Sequence, residues 1–309
     1  MAHIQRKLSQ LAEAAAFQRL KARRAARSAR DLAHFNSTDA SWMFCTTLER
    51  FRLSNAQLCV RVRRQLNLDI AACIHLTLGS GAQRVPADWK GDFALSVFEG
   101  GTAWRNLHNE LRDALLRFAH QARLRAEPEY PKLLDTKDGR PSRSKLADVL
   151  VEGQHGWRPA QGRNLWIDVT TISAVCATHV ALAAKEIGAA AAHAALQKLR
   201  KYHAQMAAKG FTGYLLPIAF ESEGYASKEL SLLLKVWSKS WADNGGYAIE
   251  DAKQRQQIWA NELALIHAKY LAQAILDNSK STREACAVGK TPHTGLRCSA
   301  TTTQRGRGA

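Results

Sequence analysis

Two apolar runs, each carrying an aspartate, constrain the fold of this chain more than any other feature of it. The first is "ADVLVEG", in which Asp148 opens Val149-Leu150-Val151 ahead of Gly153; the second is "NLWIDVTTISAV", from Asn164 to Val175. In the second, Leu165, Ile167 and Val169 alternate with Trp166, Asp168 and Thr170, which is the period of a strand. The intervening "QHGWRPAQGRN" is rich in Gly, Pro and polar residues and reads as a hairpin loop. Two neighbouring antiparallel strands would then carry one carboxylate each. Asp is depleted in strands, and burying one is costly unless it is paired, hydrogen-bonded or bound to a metal. A strand-end Asp facing solvent is the plain alternative. Two carboxylates side by side repel, and one pKa rises unless a cation intervenes. A divalent metal is the usual cation for oxygen ligands.

The flanking segments set the order of elements. "TAWRNLHNELRDALLRFAHQARLRAEPEYP" places Leu107, Leu111, Leu115 and Phe118 at helical spacing, so a helix is expected to open at Thr102 and to end before Pro128. After the second Asp strand comes an Ala-rich helical stretch from Thr178 to Gly210. At ~1.5 Å per residue it would span up to ~50 Å, so a bend or break near Gly188 is expected as it crosses back over the sheet. "FTGYLLPIAFESEG" reads as a third strand, with Pro217 pointing to an edge or a bulge. Two more helical segments follow, "SKELSLLLKVWSKSWADNGG" and "EDAKQRQQIWANELALIHAKYLAQAIL". The fold class is α/β: a mixed central sheet flanked by helices, preceded by an α-helical N-terminal region. The expected organisation is a basic helical region over residues 1–66, an irregular linker over 67–101, the sheet-bearing domain over 102–278 and a disordered tail over 279–309.

Lys and Arg number 44 against 27 Asp and Glu, a formal charge of +17 that favours a polyanionic partner, nucleic acid first and an acidic membrane surface second. Arg19, Lys21, Arg23, Arg24, Arg27 and Arg30 lie in one helical stretch without an acid. They are candidates for contacting phosphates, with a solvated helix face as the alternative; an Arg-rich, acid-poor start also fits a transit peptide. No secretory leader and no run long enough to span a bilayer is expected. The six cysteines form no CxxC pair and read as reduced.

The chain also carries a series of short motifs in order: "RNLHNELRD" (Arg105, His108, Asn109), "EPEYP" (Glu127, Pro128), "LADVLV" (Asp148), "IDVTT" (Asp168, Val169, Thr170), "QKLRKY" (Lys198, Lys201, Tyr202) and "LPIAFESEG" (Pro217, Glu221, Gly224). In this order and spacing, from about residue 41 to 278, the chain resembles the C-terminal restriction-like endonuclease region of non-LTR retrotransposon proteins, a branch of the PD-(D/E)xK nucleases. That resemblance implies a restriction-endonuclease-like fold and a metal-dependent DNA endonuclease that nicks a target site in the nucleus. The implied cofactor is Mg²⁺ or Mn²⁺, and the implied partners are DNA and, as a second candidate, the element's RNA. No membrane and no small-molecule cofactor is expected.

The resemblance implies roles for individual residues. Asp148 and Asp168, with the Val169 carbonyl, would hold the metal, and Glu110 on the first helix is a candidate to complete the site. Thr170 stands where the family's usual lysine would be, so the catalytic cation is expected from Lys198 or Lys201 on the following helix. The alternative for either lysine is a solvated stripe. Glu221 is expected to be a strand-end structural acid, and His108 and Asn109 a helix cap or packing pair. The family's zinc knuckle is degenerate here: Phe93 and Val97 replace ligands and only Cys73 and His75 remain nearby, so no structural zinc is expected. No polymerase motif is present. Two further readings stay open: a basic nucleic-acid-binding remnant or domesticated module that has lost the chemistry, and a helical scaffold with structural acids.

Overall fold

The computed structural model describes residues 28–38, 53–65, 70, 77–78, 85–86, 102–128, 147–153, 156–160, 162–208 and 213–287. In chain order these form α1 (Ala29–Ser37), α2 (Asn55–Gln65), β1 (Thr77–Leu78), β2 (Val85–Pro86), α3 (Thr102–Gln121), β3 (Ala126–Pro128), β4 (Val149–Val151), a 3₁₀ turn (Arg158–Ala160), β5 (Leu165–Ile172), α4 (Val180–Ala183), α5 (Ala189–Ala208), β6 (Tyr214–Glu221), α6 (Lys228–Gly245) and α7 (Ile249–Ala287). The principal sheet has the order β3-β4-β5-β6; its first two pairings are antiparallel and β5–β6 is parallel. This is a mixed sheet with helices, as the α/β reading expects.

The helix α3 forms along the predicted stripe, and Leu107, Leu111, Leu115 and Phe118 are all buried. It stops at Gln121, well before Pro128. The Leu124 amide donates to the Ala119 carbonyl at 3.0 Å and the Arg123 amide to the His120 carbonyl at 2.9 Å, with Arg123 at φ 59°. These two bonds are the Schellman closure of a helix C-terminus. Glycine usually marks that turn; here an arginine adopts it and the buried Leu124 seals it, so the sequence gives no stop signal. The chain thereby turns back in time to make β3, the extended Glu127-Pro128 segment.

The Ala-rich stretch breaks where expected. Gly188 has φ 76° and separates α4 from α5. A Cβ at Gly188 would lie 2.3 Å from the Tyr225 ring, so glycine is required twice over, for the backbone and for the contact. Pro217 sits on β6, the sheet's edge, opposite Asp168. The last helix, α7, is longer than expected and runs to Ala287, so residues 279–287 are helical rather than part of a disordered tail. Their composition is polar, but neither Gly nor Pro interrupts the sequence before Gly289.

One face of the sheet, with Val149, Val151, Leu165, Ile167 and Val169, packs with residues of α3, α6 and α7, including Phe118 stacked on Trp259 at 5.0 Å. On the other face Leu150, Trp166 and Leu215 meet Tyr202 of α5. The described N-terminal helices belong to this body. Asn36 donates to the Ala183 carbonyl at 2.7 Å, the Tyr225 amide donates to the Ser37 carbonyl at 2.8 Å, and Arg64 of α2 pairs with Glu223. Arg30 is exposed on α1, while Arg19, Lys21, Arg23, Arg24 and Arg27 lie outside the described residues. So do Cys73, His75, Phe93 and Val97; within the linker, β1 and β2 form a two-residue antiparallel ladder.

Candidate metal and phosphate site

The hairpin register brings the two aspartates together. Val149 pairs with Ile167 and Leu150 with Trp166, and the Asp148 amide donates to the Ile167 carbonyl at 2.8 Å. One further step along this antiparallel register sets Asp148 opposite Asp168, and opposite residues share a face of the sheet. That is the face covered by α5. Both side chains are buried, at 7% and 5% exposure.

Each carboxylate has its own partners. Asp148 Oδ2 accepts the Val169 amide at 2.6 Å, and Oδ1 lies 3.0 Å from His108 Nε2. Asp168 Oδ1 accepts from Lys198 Nζ at 3.0 Å; Oδ2 is 2.9 Å from the same ammonium but out of line for a hydrogen bond, and has no other hydrogen-bond partner. Burial pushes the Asp168 carboxyl up to about 6, against the pull of Lys198 and with a further push from Asp148. Burial alone would lower Lys198, but the charge of Asp168 and its hydrogen bond outweigh that, and the ammonium is held above its ordinary value. At neutral pH this is therefore an ion pair.

The two lysines separate. Lys198 and Tyr202 are one turn apart on the side of α5 facing the sheet, whereas Lys201 is rotated about 60° from Lys198. Lys201 Nζ lies 4.9 Å over the Tyr202 ring and 3.5 Å from its hydroxyl, so it is Lys198 that meets the aspartates. Glu110 does not join them. It stands two residues, about 200°, beyond His108 on α3, and accepts from Tyr270 of α7 at 3.1 Å. His108 corrects the packing expectation in the opposite sense, since its ring reaches Asp148 across the chain. Only its place in the "RNLHN" helix start gave any signal of this. Glu221 is a structural acid: it is fully buried, and its Oε1 accepts the Ala191 amide at 2.8 Å at the start of α5.

Among the described residues no three His, Cys, Asp or Glu side chains are gathered as a metal cluster. The donor set nevertheless fits a Mg²⁺-type ion, which takes one or two carboxylates and completes its shell with water and substrate phosphate. That fit rests on two buried carboxylates set opposite each other on adjacent strands, with one ammonium beside them. No helix among the described residues is long and apolar enough to cross a membrane. Comparison with protein-family models, with curated proteins and with solved structures gave no match.

Proposed function

We propose that this chain is a metal-dependent DNA endonuclease of retrotransposon origin, with a PD-(D/E)xK, restriction-endonuclease-like core. The observation that carries the reading is the buried Asp148–Asp168 pair, set across adjacent strands and met by a lysine from the crossover helix. The order helix, three strands, two helices, strand from α3 to β6 supports the same fold. Asp148, Asp168 and the Val169 carbonyl would hold Mg²⁺ or Mn²⁺. Such an ion, when bound, supplies a Lewis acid for the phosphate and activates water. Lys198 contributes a fixed positive charge where the transition state gains negative charge. Two carboxylates and one ammonium leave the site singly negative; a divalent ion makes it singly positive, matched to one phosphodiester.

The competing reading is a basic nucleic-acid-binding remnant. It is favoured by one observation: both acids already hold partners within the protein. Nicking of supercoiled DNA in Mg²⁺ or Mn²⁺ separates the two. Replacing Lys198 with Met should reduce nicking by about 10²-fold or more. Lys201→Met should leave most of it, because that ammonium lies over Tyr202. DNA binding should survive both changes, since one phosphate contact among many costs little. If Lys198→Met nicks as well as the unaltered protein, the lysine assignment is wrong. If no metal supports nicking although DNA binds with a steep salt dependence, the remnant reading replaces this one.

A further inference from the structure

We propose that His108 is a direct nitrogen ligand of the metal, so that the centre takes a Mn²⁺-type ion in preference to Mg²⁺. This rests on the metal-dependent reading above and adds the identity of a ligand and the class of ion. The geometric argument comes from one distance. His108 Nε2 and Asp148 Oδ1 are 3.0 Å apart. Two neighbouring ligands of an octahedral ion, each about 2.1 Å from it and at right angles, are separated by about 3.0 Å. The spacing of the two donor atoms therefore matches that of neighbouring ligands on one ion, with the Nε2 lone pair directed at the metal. The carboxylate is already oriented for this, because its other oxygen is fixed by the Val169 amide at 2.6 Å.

The surroundings agree. The His108 side chain is 36% exposed, whereas the two carboxylates are buried, so the imidazole is the donor most open to solvent. Asp168 is the third donor. It is ion-paired with Lys198 and lies on the same face of the sheet as Asp148. Carboxylate and water donors suit Mg²⁺ and Mn²⁺ alike, but an imidazole nitrogen binds a transition ion such as Mn²⁺ better than it binds the harder Mg²⁺. One histidine thus shifts the selectivity of an otherwise all-oxygen site.

The test is spectroscopic and needs no turnover. Mn²⁺ is titrated into the full chain and examined by pulsed electron paramagnetic resonance, with Mg²⁺ and Mn²⁺ affinities measured by calorimetry. Imidazole nitrogen modulation of the Mn²⁺ signal is expected, together with Mn²⁺ binding at least about tenfold tighter than Mg²⁺. His108→Ala should remove the modulation and the preference while leaving weaker binding of both ions, and should retain the native circular dichroism. His108→Gln should do the same, because an amide can still hydrogen-bond Asp148 without supplying the ring nitrogen. Mn²⁺ that binds without nitrogen modulation, and is lost in Asp148→Asn, would overturn the ligand assignment and leave the nuclease reading standing. Binding that is absent, or unchanged in Asp148→Asn, would overturn both.

Discussion

Replacing Glu223 with Ala is expected to cost the folded state about 3–5 kcal/mol, the penalty for breaking a buried ion pair from one side. Glu223 is 2% exposed and pairs with Arg64, which is 1% exposed. Ser222 Oγ donates to Glu223 at 3.1 Å and His34 Nδ1 lies 3.6 Å away. Without the carboxylate, the Arg64 guanidinium stays buried and loses the charge that offsets its desolvation. The loss is large against the ~5–15 kcal/mol that holds a typical domain folded. The measurement is urea unfolding followed by circular dichroism. A double change, Glu223→Leu with Arg64→Met, should recover much of the loss, because neither buried charge remains. A single Glu223→Ala change costing under about 1 kcal/mol would show that the pair does not hold the N-terminal helices to the core.

The second large effect is a pair of opposite pH dependences. His267 is 1% exposed and stacks on Phe220 with centroids 6.0 Å apart; neither ring nitrogen has a hydrogen-bond partner among the described residues. Burial, aided by Arg61 and Arg64, lowers its pKa from 6.5 to about 3. The folded state keeps the ring neutral while the unfolded chain takes a proton below 6.5. Stability is therefore full above that pH and is lost as pH falls toward 3, by about 4–5 kcal/mol at most. Glu221 behaves in the opposite sense. Burial raises it from 4.5 to about 7, despite the Ala191 amide. Its folded state holds a proton that the unfolded chain releases, so stability is full below 4.5 and is lost as pH rises through 7, by about 3 kcal/mol. His267→Phe should gain on the unaltered protein progressively from pH 6.5 down to 3. Glu221→Gln, which keeps an acceptor for Ala191, should gain from pH 4.5 up to 7 and stay ahead above it. Denaturant titrations across pH 3–8 read both, and parallel curves for either variant would reject its assignment.

The sequence pattern revealed the parts of the site that depend on local order. Alternation around Asp168, the run after Asp148 and the loop between them were enough to anticipate the hairpin and its two facing acids. Gly188 was enough to anticipate the break in the crossover. What could not be read depended on contacts far apart in sequence. His108 meets Asp148 because α3 lies against the hairpin, and Glu110, on the other side of α3, accepts from Tyr270 of α7. Lys198 and Lys201 are three residues apart, too close for pattern alone to choose between them. The charge count also misleads locally: Arg61 and Arg64 are each 1% exposed and form part of the interior rather than a basic surface. The end of α3 falls before Pro128 as expected, but its exact residue has no sequence mark, because an arginine occupies the left-handed position where a glycine is usual.

The mixed pairing of the sheet has a consequence for the order in which the chain assembles. The β4–β5 contact joins nearby residues through one loop, whereas the parallel β5–β6 contact, Leu165 with Tyr214, must wait for the whole crossover. Local pairings form ahead of distant ones. During synthesis, Asp148 and Asp168 can face each other before β6 has emerged, but Lys198 can be seated only once α5 is clamped between β5 and β6. The newborn hairpin therefore holds two carboxylates facing each other in water, a repulsion that Lys198 offsets when the crossover closes. Pulse-labelled hydrogen exchange during refolding should show amides of Val149–Val151 protected before those of Leu215–Phe220. Simultaneous protection of the two sets would mean that the hairpin has no independent existence and that the acids meet each other and their lysine in a single step.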